Sequence, residues 1–252
     1  MKKFLALALA LVMTLALAAC GGGDGQKDGG AASGAIKIGG VGPLTGDAAI
    51  YGNAAKGGAE IAVEEINALG GLQFDLHYED DANDPEKSVN AYNTLKDWGM
   101  QVFLGSVTST PGVATAAESN ADHMFYLTPS ASSTDVIGGV ANPLTGSVDT
   151  PRRDNVFQMC FVDPNQGSAS AQYIKDNGLG SKIAVIYKND DIYSTGIYNS
   201  FAAKAAELGL EIVSTTTFTT DSQTDFSVQI ADAKNNGADL VYLPTYYEAN
   251  AL

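Results

Sequence analysis

Between residues 102 and 133 the chain reads VFLGSVTSTPGVATAAESNADHMFYLTPSASS, and this stretch limits the fold more than any other. A short apolar run, residues 102–104, ends in Gly105 and the hydroxyls of Ser106, Thr108, Ser109 and Thr110. Pro111 opens a helical stretch that runs to about Asp122. A second apolar run, residues 124–127, ends in Thr128-Pro129-Ser130-Ala131-Ser132-Ser133. Strand, hydroxyl loop, helix, strand, hydroxyl loop is the grammar of a parallel α/β sheet. Both loops then lie at the carboxyl ends of their strands, where ligands bind in such sheets. With Thr110 as N-cap and Pro111 at the first helical position, the helix start offers free N–H groups and positive partial charge to an anion such as a carboxylate. The alternative is that these serines and threonines only cap helices and fill turns. The stretch by itself admits both.

The same alternation runs through the rest of the chain. A strand over residues 36–41 leads into Gly42-Pro43-Leu44-Thr45-Gly46. This is not a dinucleotide loop: the glycine spacing is one residue too long, and Pro43 lacks an N–H for phosphate. Residues 51–69 are helical, with Ala54, Gly58, Ile61, Ala62, Ile66 and Leu69 on the expected core face and Gly70-Gly71 as the stop. A strand over residues 72–78 ends in the acidic run Glu79-Asp80-Asp81-Ala82-Asn83-Asp84. That run lacks the calcium-loop pattern and reads as a solvated turn, with Asp84 capping a helix that opens at Pro85. Residues 135–155 read as a long surface loop. From residue 156 the pattern restarts: strand 156–162, helix 166–177, strand 182–187, a helical stripe through Ile197, Phe201, Ala205 and Leu208, strand 211–218, a helix through Phe226, Ile230 and Ala233, and a last strand 240–243. The fold expected is therefore α/β, with two Rossmann-like parallel-sheet lobes joined by a hinge. The first lobe spans residues 36–155 and the second residues 156–252. The second stops shortly after a strand without a closing helix, so the sequence reads as a fragment of a longer protein.

Composition narrows function. The 29 acidic and 14 basic residues among 252 give a formal charge of -15, which argues against nucleic acid as a partner. The two cysteines, Cys20 and Cys160, form no metal-spacing pair and no disulfide framework. Cys160 reads as a small buried hydrophobe. No cofactor or metal site is evident. At the N-terminus, Lys2 and Lys3 precede an apolar run from residue 4 to residue 19, the layout of an export signal. It ends Leu17-Ala18-Ala19-Cys20, followed by Gly21-Gly22-Gly23. This resembles the bacterial lipobox, in which residues 1–19 are removed and Cys20 is lipidated, anchoring the protein to the membrane outside the cytoplasm. Residues 20–35 then form a Gly-, Asp- and Ser-rich flexible tether.

From residue 36 onward, the order and spacing of several segments resemble the type I periplasmic-binding-protein family, in its leucine/isoleucine/valine-binding branch of ABC-transporter solute receptors. The segments are IKIGGVGPLTGDAAIYG, GGAEIAVEEINALGG, YEDDANDPEKSVNAYNTL, the two hydroxyl loops, IAVIYKNDDIYSTG and DLVYLPTYYEA. The resemblance implies two lobes that close over an amino acid and deliver it to an ABC permease in the membrane. By position, Ser109 would bind the ligand carboxylate through its hydroxyl and local N–H. Ser130 would use backbone groups, and Ser132 its hydroxyl on the carboxylate or ammonium. Tyr51 would wall the first-lobe side, with Tyr193 and Tyr246 closing from the second. Two departures stand out. Family members often carry cysteines at the positions of Asn83 and Thr108, and the family's ammonium-binding carboxylate lies further along the second lobe than this chain extends.

Two other function classes compete with this reading. An enzyme on the same frame needs a nucleophile with a base, or a metal. His77 sits mid-strand and His123 at a helix end, and neither G-x-S-x-G nor H-E-x-x-H occurs. A signalling ectodomain of this fold would usually continue into a transmembrane helix. The lipobox favours the transport receptor.

Overall fold

The computed structural model describes residues 34–251. The signal segment, Cys20 and the tether as far as residue 33 lie outside the described residues. Five parallel strands form a first sheet: β1 (Ile36–Gly42), β2 (Phe74–Asp80), β3 (Val102–Leu104), β4 (Tyr126–Thr128) and β5 (Val156–Gln158), in spatial order β2-β1-β3-β4-β5. Three more, β6 (Lys182–Lys188), β7 (Glu211–Phe218) and β8 (Leu240–Tyr242), form a second parallel sheet in order β7-β6-β8. Helices α1 (Ala49–Ala68), α2 (Pro85–Trp98), α3 (Ser109–Ala121) and the short α4 (Thr134–Ile137) follow β1 to β4. Helices α5 (Asp163–Asn177), α6 (Ile192–Leu208), α7 (Ser227–Asn235) and α8 (Tyr247–Asn250) accompany the second sheet. This is the two-lobed parallel α/β architecture that the alternation implies.

One boundary moves. β5 pairs with β4 in the register Tyr126↔Val156 to Thr128↔Gln158, so the first sheet holds residues 156–158, which the sequence reading gave to the second lobe. Val156 is buried in the first core, and the strand ends at Gln158 rather than at residue 162. Hydrogen bonds fix it there: Tyr126 N–H donates to Asn155 C=O at 3.0 Å and Met159 N–H to Thr128 C=O at 3.2 Å. The expected loop starts later than residue 135, because α4 takes up Thr134–Ile137.

Helix α1 is rotated relative to its apolar stripe. Ile61 is 59 % exposed and Ile66 45 %, while Gly52, Ala55, Ala59, Val63 and Asn67 turn inward. Both ends are pinned. A Cβ at Gly52 would stand 1.9 Å from the Pro43 carbonyl oxygen, so only glycine permits this approach. At the other end Asn67 bridges to β2, accepting from Phe74 N–H at 2.8 Å and donating to Phe74 C=O at 2.9 Å.

Helix α2 begins as its sequence implies. The Asp84 carboxylate accepts from Lys87 N–H at 2.8 Å with Pro85 in the first turn, and Gly99 closes the helix at φ 92°. Asp84→Ala should therefore lower stability by about 1 kcal/mol, read as a shift in a denaturant midpoint.

The acidic turn before α2 is not solvated. Asp80 accepts from Leu44 N–H at 2.8 Å, Thr45 Oγ1 at 2.6 Å and Ala82 N–H at 2.9 Å. Asp81 is fully buried, and burial pushes its carboxyl up to about 7. A carboxyl raised in the folded state resists ionisation there while the unfolded chain ionises freely. Stability is then lost as pH rises from about 4 through 7, by about 1.4 kcal/mol per unit of separation. Asp81→Asn should flatten the melting temperature against pH across that window; an unchanged slope would show that Asp81 is not its source.

Two apolar cores hold the lobes. In the first, Phe103 packs edge-on to both Tyr92 and Tyr126, each at a ring separation of 5.0 Å. In the second, Ile183, Val185, Phe201 and Ala205 are buried, and Phe201 stacks on Tyr242 at 4.1 Å. Cys160 is half-buried rather than fully enclosed. Among the described residues no helix is long and apolar enough to cross a membrane.

Candidate functional site

Because β3 and β4 are adjacent and parallel, their hydroxyl loops emerge on the same edge of the sheet. They are stitched together there. Thr128 Oγ1 donates to Ser106 C=O at 2.8 Å, Ser130 Oγ to Val107 C=O at 2.6 Å, and Ser133 N–H to Ser109 Oγ at 3.1 Å. Much of the hydroxyl content therefore serves loop structure, which is the alternative that the sequence left open. What remains is concentrated at the start of α3.

That helix starts earlier than expected. Thr108, in extended backbone, is the N-cap, and Ser109 is the first helical residue. Pro111 still lies in the first turn, where its missing N–H leaves no helical bond unmade. No side chain caps the helix, and the Tyr246 hydroxyl lies near the Ser109 N–H. Thr110, freed from capping, spans the two lobes. Its hydroxyl donates to Asp191 Oδ1 at 3.1 Å and accepts from Ile192 N–H at 3.2 Å. Asp191 also caps α6 by accepting from Ser194 N–H at 3.0 Å. Burial raises its carboxyl above the usual range.

Three tyrosines converge above this helix start. Tyr246, at the head of α8, stacks on Tyr193 of α6 at 4.7 Å and tilts against Tyr51 of α1 at 5.4 Å. The Tyr51 hydroxyl accepts from Tyr247 N–H at 3.4 Å, and the Tyr193 hydroxyl accepts from Gln166 Nε2 at 3.1 Å. Burial drives the Tyr246 hydroxyl well above its ordinary pKa, so it stays protonated.

The expected residues are thus gathered unequally. Ser109, Tyr51, Tyr193 and Tyr246 meet at the lobe junction. Ser132 is buried one step away, its C=O accepting from Asp163 N–H at 3.0 Å. Ser130 is exposed at the loop tip. Its hydroxyl is held by Val107 and its N–H by Thr128 Oγ1 at 3.3 Å, leaving its carbonyl as the group open to a ligand. A cleft of ≈ 400 Å³ runs between the lobes past Gly46, Asp47, Thr110, Lys188, Thr220 and Tyr246. Of the expected residues only Tyr246 lines it. A further contact across the junction joins Gln223 Nε2 to Asp47 Oδ2 at 2.6 Å.

Sequence reasoning missed Thr110 as a bridge, and also Asp163 and Gln166. A faint signal existed: Asp163-Pro164 and Asp190-Asp191 each precede a helical stripe, the pattern of a helix start. His77 sits beside Glu79 at 2.9 Å and packs edge-on to Trp98. Among the described residues no group of three His, Cys, Asp or Glu side chains is placed to hold a metal.

The sequence profile described as periplasmic binding protein matches residues 35–251. The chain belongs to the periplasmic binding protein family. Curated relatives of this periplasmic binding protein include a Leu/Ile/Val-binding protein homolog from Brucella melitensis, 32 % identical over 88 % of this chain and 57 % of that one. Among solved structures, a leucine binding protein, LivK, from Thermotoga maritima superposes with a TM-score of 0.73 at 27 % identity, covering 82 % of this chain and 55 % of that one. The branched-chain amino acid transporter substrate binding protein LivJ from Streptococcus pneumoniae, solved with isoleucine, gives 0.72 at 26 % identity over 84 % and 57 %. The chain therefore spans little more than half the length of these relatives. The family is one of binding proteins, not enzymes.

Proposed function

We propose that this chain is the solute-binding component of an ABC importer and holds an amino acid, a branched-chain one foremost, at the junction of its lobes. The observation that carries the reading is the packing of Tyr51 and Tyr193 against Tyr246, whose hydroxyl lies near the Ser109 N–H. In the arrangement described, a neutral phenol sits at the free N–H of a helix start. A carboxylate is the stronger acceptor there, since its hydrogen bonds are charge-assisted and the helix dipole favours it. An incoming amino acid would displace the Tyr246 hydroxyl, take the Ser109 N–H and hydroxyl, and lie with its side chain against the tyrosine faces. Ser132 would supply its hydroxyl to the carboxylate or ammonium, and Ser130 its carbonyl to the ammonium. Thr110–Asp191 and Gln223–Asp47 would latch the closed form, with the hinge near residues 159–162. The relatives' leucine, isoleucine and valine ligands support the choice of solute.

The same reading puts the protein outside the cytoplasm, tied to the membrane through a lipid on Cys20 and handing its ligand to a permease. Cys20→Ser should release it into the soluble fraction after cell fractionation. Calorimetric titration of the intact protein with leucine, isoleucine, valine, glutamine and benzoate tests the ligand. Saturable binding of at least one aliphatic amino acid is expected. Binding of benzoate alone would move the assignment to aromatic acids, and silence across the panel would end the receptor reading.

A further inference from the structure

Gln166 is the fourth residue of α5, and Tyr193 is the second residue of α6. The two helices pack closely enough to fix one against the other. Gly167 is buried at their contact, where a Cβ would stand 2.0 Å from Ser200 Oγ and 2.4 Å from the Ile197 carbonyl oxygen, so the backbones approach as only glycine allows. The Gln166 backbone is held as well: its N–H donates to Val162 C=O at 3.2 Å, and its C=O accepts from Ser170 Oγ at 2.8 Å. From this fixed base the side chain reaches across to α6, and Nε2 donates to the Tyr193 hydroxyl at 3.1 Å.

Among the described residues no other hydrogen bond reaches the Tyr193 hydroxyl. The other end of the amide is not satisfied at all: Gln166 Oε1 is buried without a hydrogen-bond partner among the described residues. A buried amide oxygen left unpaired costs stability, so an apolar side chain of similar size would serve packing better here. What the amide does, and an apolar group could not, is pin the far end of the Tyr193 ring. That ring supports Tyr246, which stacks on it at 4.7 Å with 18° between the planes. Tyr246 in turn tilts against Tyr51 at 5.4 Å, and its hydroxyl lies near the Ser109 N–H.

We propose that Gln166 is a positioning residue for the solute site, holding Tyr193 at the angle from which Tyr193 and Tyr246 together present their faces to the solute's side chain. This inference rests on the amino-acid reading above. Gln166 does not line the cleft between the lobes. Its remaining surface lines an apolar groove with Phe161, Tyr173 and Val241, and it acts on the solute through the one hydroxyl. Without that bond the Tyr193 ring keeps its volume but gains freedom. The solute must then order the ring as it binds, which lowers affinity without loosening the fold.

A double-mutant cycle on the intact protein tests the proposal, with leucine titrations and denaturant unfolding of Gln166→Leu, Tyr193→Phe and the pair. Each single substitution removes the same hydrogen bond and keeps the ring. Each should weaken leucine binding by about three- to tenfold, and the pair by no more than either alone. The unfolding midpoint of the pair should match or exceed that of the unaltered protein, because both unpaired polar ends are gone. Losses that multiply in the pair, affinity unchanged in Gln166→Leu, or a loss of affinity that only follows a loss of stability would each overturn the proposal. A ligand-free measurement separates this inference from the reading beneath it. In protein with labelled tyrosine rings, the Tyr246 resonances, assigned with Tyr246→Phe, should move in Gln166→Leu as the ring current of Tyr193 changes. If the unaltered protein is silent to leucine, the amino-acid reading fails. Tyr246 resonances that still move would then keep Gln166 as the residue that positions the tyrosine pair, and resonances that stay in place would overturn that role too.

Discussion

Phe103→Ala is expected to destabilise the protein by about 3–5 kcal/mol and to abolish ligand binding through loss of the fold. Phe103 is fully buried and clasped edge-to-face by Tyr92 and Tyr126. Alanine removes the central ring of that trio and leaves a cavity which two flanking aromatic rings, one on a helix and one on a strand, cannot collapse to fill. β3 is three residues long, between β1 and β4, and it delivers the chain into the first hydroxyl loop. Phe103→Leu keeps most of the volume and should retain most of the stability. Denaturant unfolding of the two variants checks this; equal midpoints would mean that the first core does not pivot on Phe103.

Ser109→Ala is expected to weaken amino-acid binding by about 10- to 100-fold while the protein remains folded. The hydroxyl has two uses in this account. In the arrangement described it accepts the Ser133 N–H at 3.1 Å and so ties the second hydroxyl loop to the first. In the proposed bound form it would face a carboxylate, and hydrogen bonds to charged groups are worth about 1.5–3 kcal/mol. Alanine leaves the buried Ser133 N–H without that acceptor, so a drop in stability of about 1–3 kcal/mol should accompany the loss of affinity. Unchanged affinity in a folded variant would take Ser109 out of the site.

Much of the frame was legible because it rests on local chemistry. Asp84-Pro85 announces a helix start, and Gly99, Gly178 and Gly209 announce helix ends through their positive φ. The repeated apolar run followed by a polar loop gave the parallel sheets. What stayed hidden depends on contacts distant in sequence. Helix α1 carries Ala and Gly on several faces, so hydrophobic pattern could not fix its rotation; the approach of Gly52 to Pro43 and the Asn67–Phe74 bridge do so. Ownership of β5 turned on pairing with β4, which Val156-Phe157-Gln158 does not advertise. Thr110 looked like a cap because its partner, Asp191, lies 81 residues away.

The helix start at Ser109 is the centre of the functional account, and its amide proton reports on it directly. In the arrangement described that N–H faces a neutral phenol; with ligand bound it should face a carboxylate, a stronger acceptor. Nuclear magnetic resonance of the intact protein titrated with leucine, with the Ser109 amide assigned, should show that resonance moving strongly downfield and saturating with the calorimetric isotherm. Saturable leucine binding that leaves the Ser109 amide unmoved would contradict the account, since the amino acid would then be held somewhere else.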